Sequence, residues 1–80
     1  MNQDILLRQN GYLPVSDIVE NYPDVSRKMH WDSVALGRLY SYGVVDGVRT
    51  SQKRTYIKID SLRALVNFIN ARIEAQKVSL

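Results

Sequence analysis

Apolar residues recur along this chain in two rhythms. In "LPVSDIVENYP", residues 13–23, Val15, Ile18, Val19 and Tyr22 fall at i, i+3, i+4 and i+7, which is one stripe of a helix. Pro14 suits the first turn of that helix or the approach to it, and Asp17 and Glu20 suit the positive end of its dipole. Pro23 stops it. A second helical stripe, Ala35, Leu36, Leu39 and Tyr40, runs through "WDSVALGRLYSYG", residues 31–43. Asp32 is the expected N-cap, its carboxylate accepting from an amide one turn on, and Gly43 is the expected stop. The outward face of this second helix carries Ser33, Val34, Gly37, Arg38 and Ser41.

The rhythm then shortens to alternation. Val44, Val45 and Val48, followed by Tyr56, Ile57 and Ile59, are strand formers on either side of the polar tip Ser51, Gln52 and Lys53. They predict a two-stranded antiparallel hairpin. Its second arm puts Thr55, Ile57 and Ile59 on one face and Arg54, Tyr56 and Lys58 on the other. Helical spacing returns in "DSLRALVNFINARIEAQ", residues 60–76, where Leu62, Leu65, Val66, Ile69 and Ile73 recur with Phe68 beside them and Asp60 as the expected cap.

The remaining segments are less patterned. Residues 1–12 hold a short helical turn around "QDILLRQ", whose Ile5, Leu6 and Leu7 are expected to cover one edge of the core. "DVSRKMH", residues 24–30, reads as a polar loop with Val25 and Met29 as anchors, and Trp31 as an anchor of its far end. Tyr40, Tyr42 and Tyr56 read as core or core-rim residues.

Eighty residues make a single domain, with a core over 12–73 and peripheral segments at 1–11 and 74–80. A chain of this length buries about 60–65% of its unfolded surface, so its core is thin. The expected fold is mostly α with a small β-hairpin, in the order helix, helix, two-stranded hairpin, C-terminal helix. Cysteine is absent, which removes disulfides, thiolate metal sites and thiol nucleophiles. The opening residues lack a basic leader and a long apolar run, and no apolar stretch approaches the length of a membrane span. A cytoplasmic protein without membrane contact is expected.

Charge changes the picture more than composition does. The formal net charge is +3, but it is unevenly placed. Residues 1–26 hold one cation and four acids, whereas residues 27–63 hold eight cations and three acids. Arg49, Lys53, Arg54 and Lys58 all lie in or beside the hairpin. Such a segment suits a polyanion, of which nucleic acid is the commonest. The chain has no glycine-rich phosphate loop, no metal-ligand cluster and no plausible serine–histidine–aspartate set, so neither an enzyme nor a cofactor is expected.

At this point the residues resemble a family. "YLPVSDIVENY" is similar to the opening helix of small excisionase and MerR-like domains, and "WDSVALGRLYSYGVV" resembles their recognition helix, which ends in glycine followed by apolar residues. "GVRTSQKRTYIKIDSLRALVNFI" resembles their basic wing followed by an acid-capped helix. The resemblance covers roughly residues 12–70, with a longer connection from Pro23 to Trp31 than the family's usual tight turn. It implies a winged helix-turn-helix that binds specific double-stranded DNA sequences. The second helix would enter the major groove, the wing would lie on the backbone or minor groove, and the role would be recombination directionality or transcription regulation.

The residues themselves carry matching chemistry. Arg38 has the fork for a bidentate contact with guanine, Ser33 can bond a base or phosphate, and Val34 can touch a thymine methyl. Gly37 costs about 1 kcal/mol in a helix interior relative to alanine, which makes sense where DNA or another protein segment comes close. Arg49, Thr50, Lys53, Arg54 and Lys58 suit phosphate contacts, and equally suit protection of an exposed strand. Arg27 and Lys28 flank the second helix. The competing expectation is a protein-binding module, an inhibitor or adaptor, that grips an acidic partner. The end of the last helix, from Ile73 to Leu80, is expected to serve self-association or a partner protein.

Overall fold

The computed structural model describes residues 3–78, the side chain of Val78 excepted. Its elements run in the order α1 (Gln3–Gln9), β1 (Tyr12–Pro14), α2 (Val15–Asn21), α3 (Ser33–Ser41), β2 (Gly47–Arg49), β3 (Thr55–Lys58) and α4 (Ile59–Val78). The protein is mostly helical with a small three-stranded antiparallel sheet, ordered β1-β3-β2. The hairpin expected from the sequence is therefore only two-thirds of the sheet. Tyr12, Leu13 and Pro14 pair with Lys58, Ile57 and Tyr56 on the other edge of β3. Pro14 has no amide to donate, and β1 is an edge strand, where that loss is tolerated.

Each turn of chain direction has a local cause. Gly11, with φ +82°, turns the chain from α1 into β1. Asp32 caps α3, its Oδ1 accepting from the Ala35 amide at 2.8 Å. At the other end Gly43 takes φ +75°; its amide donates to the Tyr40 carbonyl at 3.0 Å, and the Val44 amide to the Leu39 carbonyl at 3.2 Å. These two bonds form a Schellman cap. Val44, expected in a strand, lies in the bend this cap creates and is exposed.

The connection between α2 and α3 is an ordered structure. Val25 is fully buried, and Met29 and Trp31 pack against the core, as their anchoring role requires. The buried Ser26 hydroxyl lies 3.1 Å from the Tyr22 carbonyl and 3.3 Å from that of Val19, and the Ser26 carbonyl accepts from the Trp31 amide at 2.8 Å. The enlarged connection thus fixes the approach to α3 with its own core residue and hydrogen bonds.

The core consists of Ile18, Val25, Leu36, Val45, Ile57, Leu62 and Val66. Val15, Val19 and Tyr22 complete the stripe of α2 against it, and Leu39 and Tyr40 that of α3. Both faces of β3 are covered: Ile57 is fully buried toward the core, and Tyr56 is 2% exposed on the opposite face. Helix α1 covers that second face, since the Tyr56 hydroxyl donates to the Asp4 carboxylate at 2.7 Å. Ile5 and Leu6, expected to cover the core edge, are exposed instead. α1 is attached through polar groups and the half-buried Leu7.

Strand β3 passes directly into α4. The Ile59 amide, which would be an orphan donor at a helix start, donates to the Gly11 carbonyl at 2.9 Å and so extends the strand pairing by one rung. Asp60 consequently sits in the first turn of α4, not at its cap. Twenty residues give this helix a length of about 30 Å. Leu62 and Val66 are buried, Leu65 and Ile69 half-buried, but Ile73, expected on the inward stripe, is exposed, as is Phe68 beside the stripe. The molecule measures 54 × 22 × 22 Å because α4 outruns the core. The expected roles of Val78 and Leu80 fall outside the described side chains. Among the described residues no helix is long and apolar enough to cross a membrane.

Candidate nucleic-acid interface

Helix α3 is held by its inward side. Leu36 is fully buried, and the Tyr40 ring lies over Gly47 of β2. The opposite side is open. Ser33, Val34, Arg38 and Ser41 are exposed, and Gly37 between them has nothing within 4 Å of the place a Cβ would occupy. Among the described residues, no segment makes the close approach that would explain Gly37 by internal packing. The Ser41 hydroxyl donates to the Gly37 carbonyl at 3.1 Å, so its proton is already engaged within the helix.

The hairpin cations divide between two faces. Cross-strand partners in an antiparallel pair point to the same side. Arg49 is paired with Thr55, and Gly47 with Ile57, so Arg49 lies on the side where Tyr40 and the core are. Tyr56 and Lys58 alternate to the other side, as does Arg54, which lies just before the strand. The Arg54 guanidinium carbon lies 6.0 Å from the Tyr56 ring centroid, and the Lys58 ammonium 5.9 Å from that of Tyr12. These are cation–π distances that hold both cations over the α1 side of the sheet.

The tip is shaped by a left-handed residue. Lys53 has φ +64°, its amide donates to the Thr50 carbonyl at 2.9 Å, and the Thr50 hydroxyl accepts from the Arg54 amide at 3.2 Å. Thr50 is therefore a turn-builder, half-buried, whose hydroxyl already serves the fold, while Lys53 is exposed at the extremity. Arg27 and Lys28 are exposed on the connection that leads to α3. Beside them lies a cleft of about 340 Å³ lined by Val19, Ser26, Arg27, His30, Trp31 and Asp32.

The structure thus places α3 and Arg49 on one side of the sheet, and sets Arg54 and Lys58 on the other. It adds two residues to the α3 side that the pattern had assigned elsewhere. Tyr42, expected in the core or its rim, is 74% exposed, and Val44 is 51% exposed. Both follow from the glycine cap, which turns the chain away one residue after Tyr42. Arg63, by contrast, is occupied: it meets the Asp24 carboxylate at 3.3 Å and lies 5.6 Å from the Tyr22 ring centroid.

The shifted acidities all belong to the α1 attachment. The hydrogen bond from Tyr56, and then that from Arg8, hold the Asp4 carboxyl below its ordinary value. The same Asp4 bond, together with burial, raises Tyr56. Asp4 and Asp17 raise Arg8. Among the described residues no group of three histidine, aspartate or glutamate side chains is placed to hold a metal. Compared with protein-family models, curated proteins and solved structures, the chain matches none.

Proposed function

We propose that this chain is a small winged helix-turn-helix protein that binds double-stranded DNA, with α3 in the major groove and the β2–β3 hairpin as the wing. The observation that carries the reading is the bare outward face of α3, with a gap at Gly37, on a helix that lies on the same side of the sheet as Arg49. A helix of this kind fits the major groove, and exposed arginine is the side chain best shaped for guanine. Arg38 and Val34 read base edges; Arg49, Lys53, Arg27 and Lys28 contact phosphates and position the helix. The protein acts in the cytoplasm as a regulator of transcription or recombination, and its chemistry is binding, not catalysis.

A single module of this size buries only about 600–1,000 Å² on DNA. Specific binding then calls for a second copy, and the exposed Ile73, which continues the stripe of Leu62, Val66 and Ile69 along α4, supplies its contact surface.

The test is selection of a random duplex pool by the tagged protein, followed by sequencing, with Arg38→Ala in parallel. One enriched motif, lost at a single base position in the variant, supports the reading. A specific observation favours the second reading, a module that grips an acidic protein: Val34, Tyr42 and Val44 expose apolar surface around the cationic helix. In that case the pool stays unenriched while one protein is recovered from lysate.

A further inference from the structure

Helix α1 buries none of its residues, and seven residues are too few for a helix to persist alone in water. Its hold on the sheet is largely a chain of polar contacts. The Tyr56 hydroxyl donates to Asp4 Oδ1 at 2.7 Å, Arg8 Nε donates to Asp4 Oδ2 at 2.8 Å, and Arg8 Nη2 meets the Asp17 carboxylate at 2.7 Å. Tyr56 belongs to the middle strand, and the cations two positions to either side of it, Arg54 and Lys58, share its face. Arg54 lies against the ring whose hydroxyl holds Asp4. Behind the two hydrogen bonds, the positive charges of Arg8 and Arg54 also favour the ionised Asp4.

We propose that α1 is an autoinhibitory strap: the Asp4 carboxylate, gripped by Tyr56, takes the place in the field of Arg54 that a nucleic-acid phosphate would fill, and covers a second cationic row of the sheet. That row is Arg54 and Lys58 with the rings of Tyr12 and Tyr56. The inference rests on the DNA-binding reading above. Carboxylate and phosphate are both oxyanions that accept charge-assisted bonds from guanidinium, so they compete for it. Exposed ion pairs are weak in water, and an element without buried side chains opens at low cost. The strap stays closed in the unaltered protein; opening it gives up these polar contacts and the cover of Tyr56, and a duplex that meets the opened wing gains one cation.

The experiment uses the full chain and a fluorescently labelled duplex of arbitrary sequence, with anisotropy read over a range of salt concentrations. Asp4→Asn and Tyr56→Phe are each expected to bind about two- to fivefold tighter than the unaltered protein, the scale of one exposed ion pair. The slope of log affinity against log salt steepens by about 0.9, one added phosphate contact. Adding Arg54→Ala to either variant removes the gain. Both changes are conservative: one neutralises a partly exposed carboxylate, and the other keeps the Tyr56 ring in its place. If the unaltered protein binds the duplex and both variants bind equally or more weakly, the strap is overturned and the DNA reading stands. If none of the chains binds any duplex, both are overturned.

Discussion

The Tyr40 ring occupies the space that a side chain at Gly47 would need. A Cβ there would also stand 2.9 Å from the Tyr56 carbonyl oxygen, which is backbone and cannot rotate away. This single contact seats the end of α3 on β2. Gly47→Ala is expected to destabilise the fold by about 1–3 kcal/mol, as overpacking does. Urea unfolding of the two proteins checks it; an unchanged midpoint would show that α3 is not seated this way.

Gly37 is the opposite case, a helical glycine facing open space. Gly37→Ala should stabilise folding by about 0.5–1 kcal/mol, because alanine is the better helix former and restricts the unfolded chain. If DNA approaches α3 at this gap, the same variant binds duplex more weakly. Opposite signs in unfolding and binding are the expected result; a gain in both would place the DNA elsewhere.

The division of the hairpin cations makes a comparison possible. Arg49 faces the α3 side, whereas Lys58 lies over Tyr12 beneath the strap side. Arg49→Ala should reduce the salt dependence of DNA binding by about 0.9 in log–log slope, the share of one phosphate. Lys58→Ala in the otherwise unaltered protein should leave it nearly unchanged. Equal losses would mean that the two faces are used together.

Most of the helices were legible because their signals are local. The stripes of α2 and α3, the Asp32 cap and the Gly43 stop each lie within a few residues of what they control. Strand β1 was not legible, since Leu13 finds Ile57 only in the folded chain and its proline suggested a helix start. The outward face of α3 could be read from helical period alone. The split of Arg49 from Arg54 and Lys58 could not, because its meaning depends on what covers Tyr56. Asp4 and Tyr56 are 52 positions apart, and no spacing rule connects them. The exposure of Ile73 was hidden for another reason: periodicity gives the direction of a helical face, not the point at which the core beneath it ends.

The α1 attachment has a defined pH window. Asp4 is depressed in the folded protein, so its contribution is present above the ordinary carboxylate value near 3.9 and is lost as pH falls through the lower folded value. Tyr56 is raised, so its contribution is present below about 10 and is lost as pH rises through the higher folded value. Arg8, raised by Asp4 and Asp17, stays cationic throughout. Amide NMR signals of residues 3–9 should hold steady from about pH 5 to 9 and shift toward detached positions outside that range. A transition near neutrality would contradict this attachment.

Ile73 is exposed on the outrunning half of α4, where truncation removes little packing. Ile73→Ser is expected to change folding stability by under about 1 kcal/mol while shifting the protein to monomer. Light scattering across a concentration series, with and without duplex, reads the outcome. A protein that is monomeric before the change, under both conditions, would remove the proposed second copy.

Lys58 closes β3 and Ile59 opens α4, with no residue between them to bend. The direction in which α4 leaves the sheet is therefore set by β3 itself and by the bond from the Ile59 amide to the Gly11 carbonyl. Over the length of a helix of about 30 Å, a small difference in that direction becomes a large difference in where its far end lies. In the proposed second-copy arrangement, the angle between two hairpins would be set at the join between one strand and one helix.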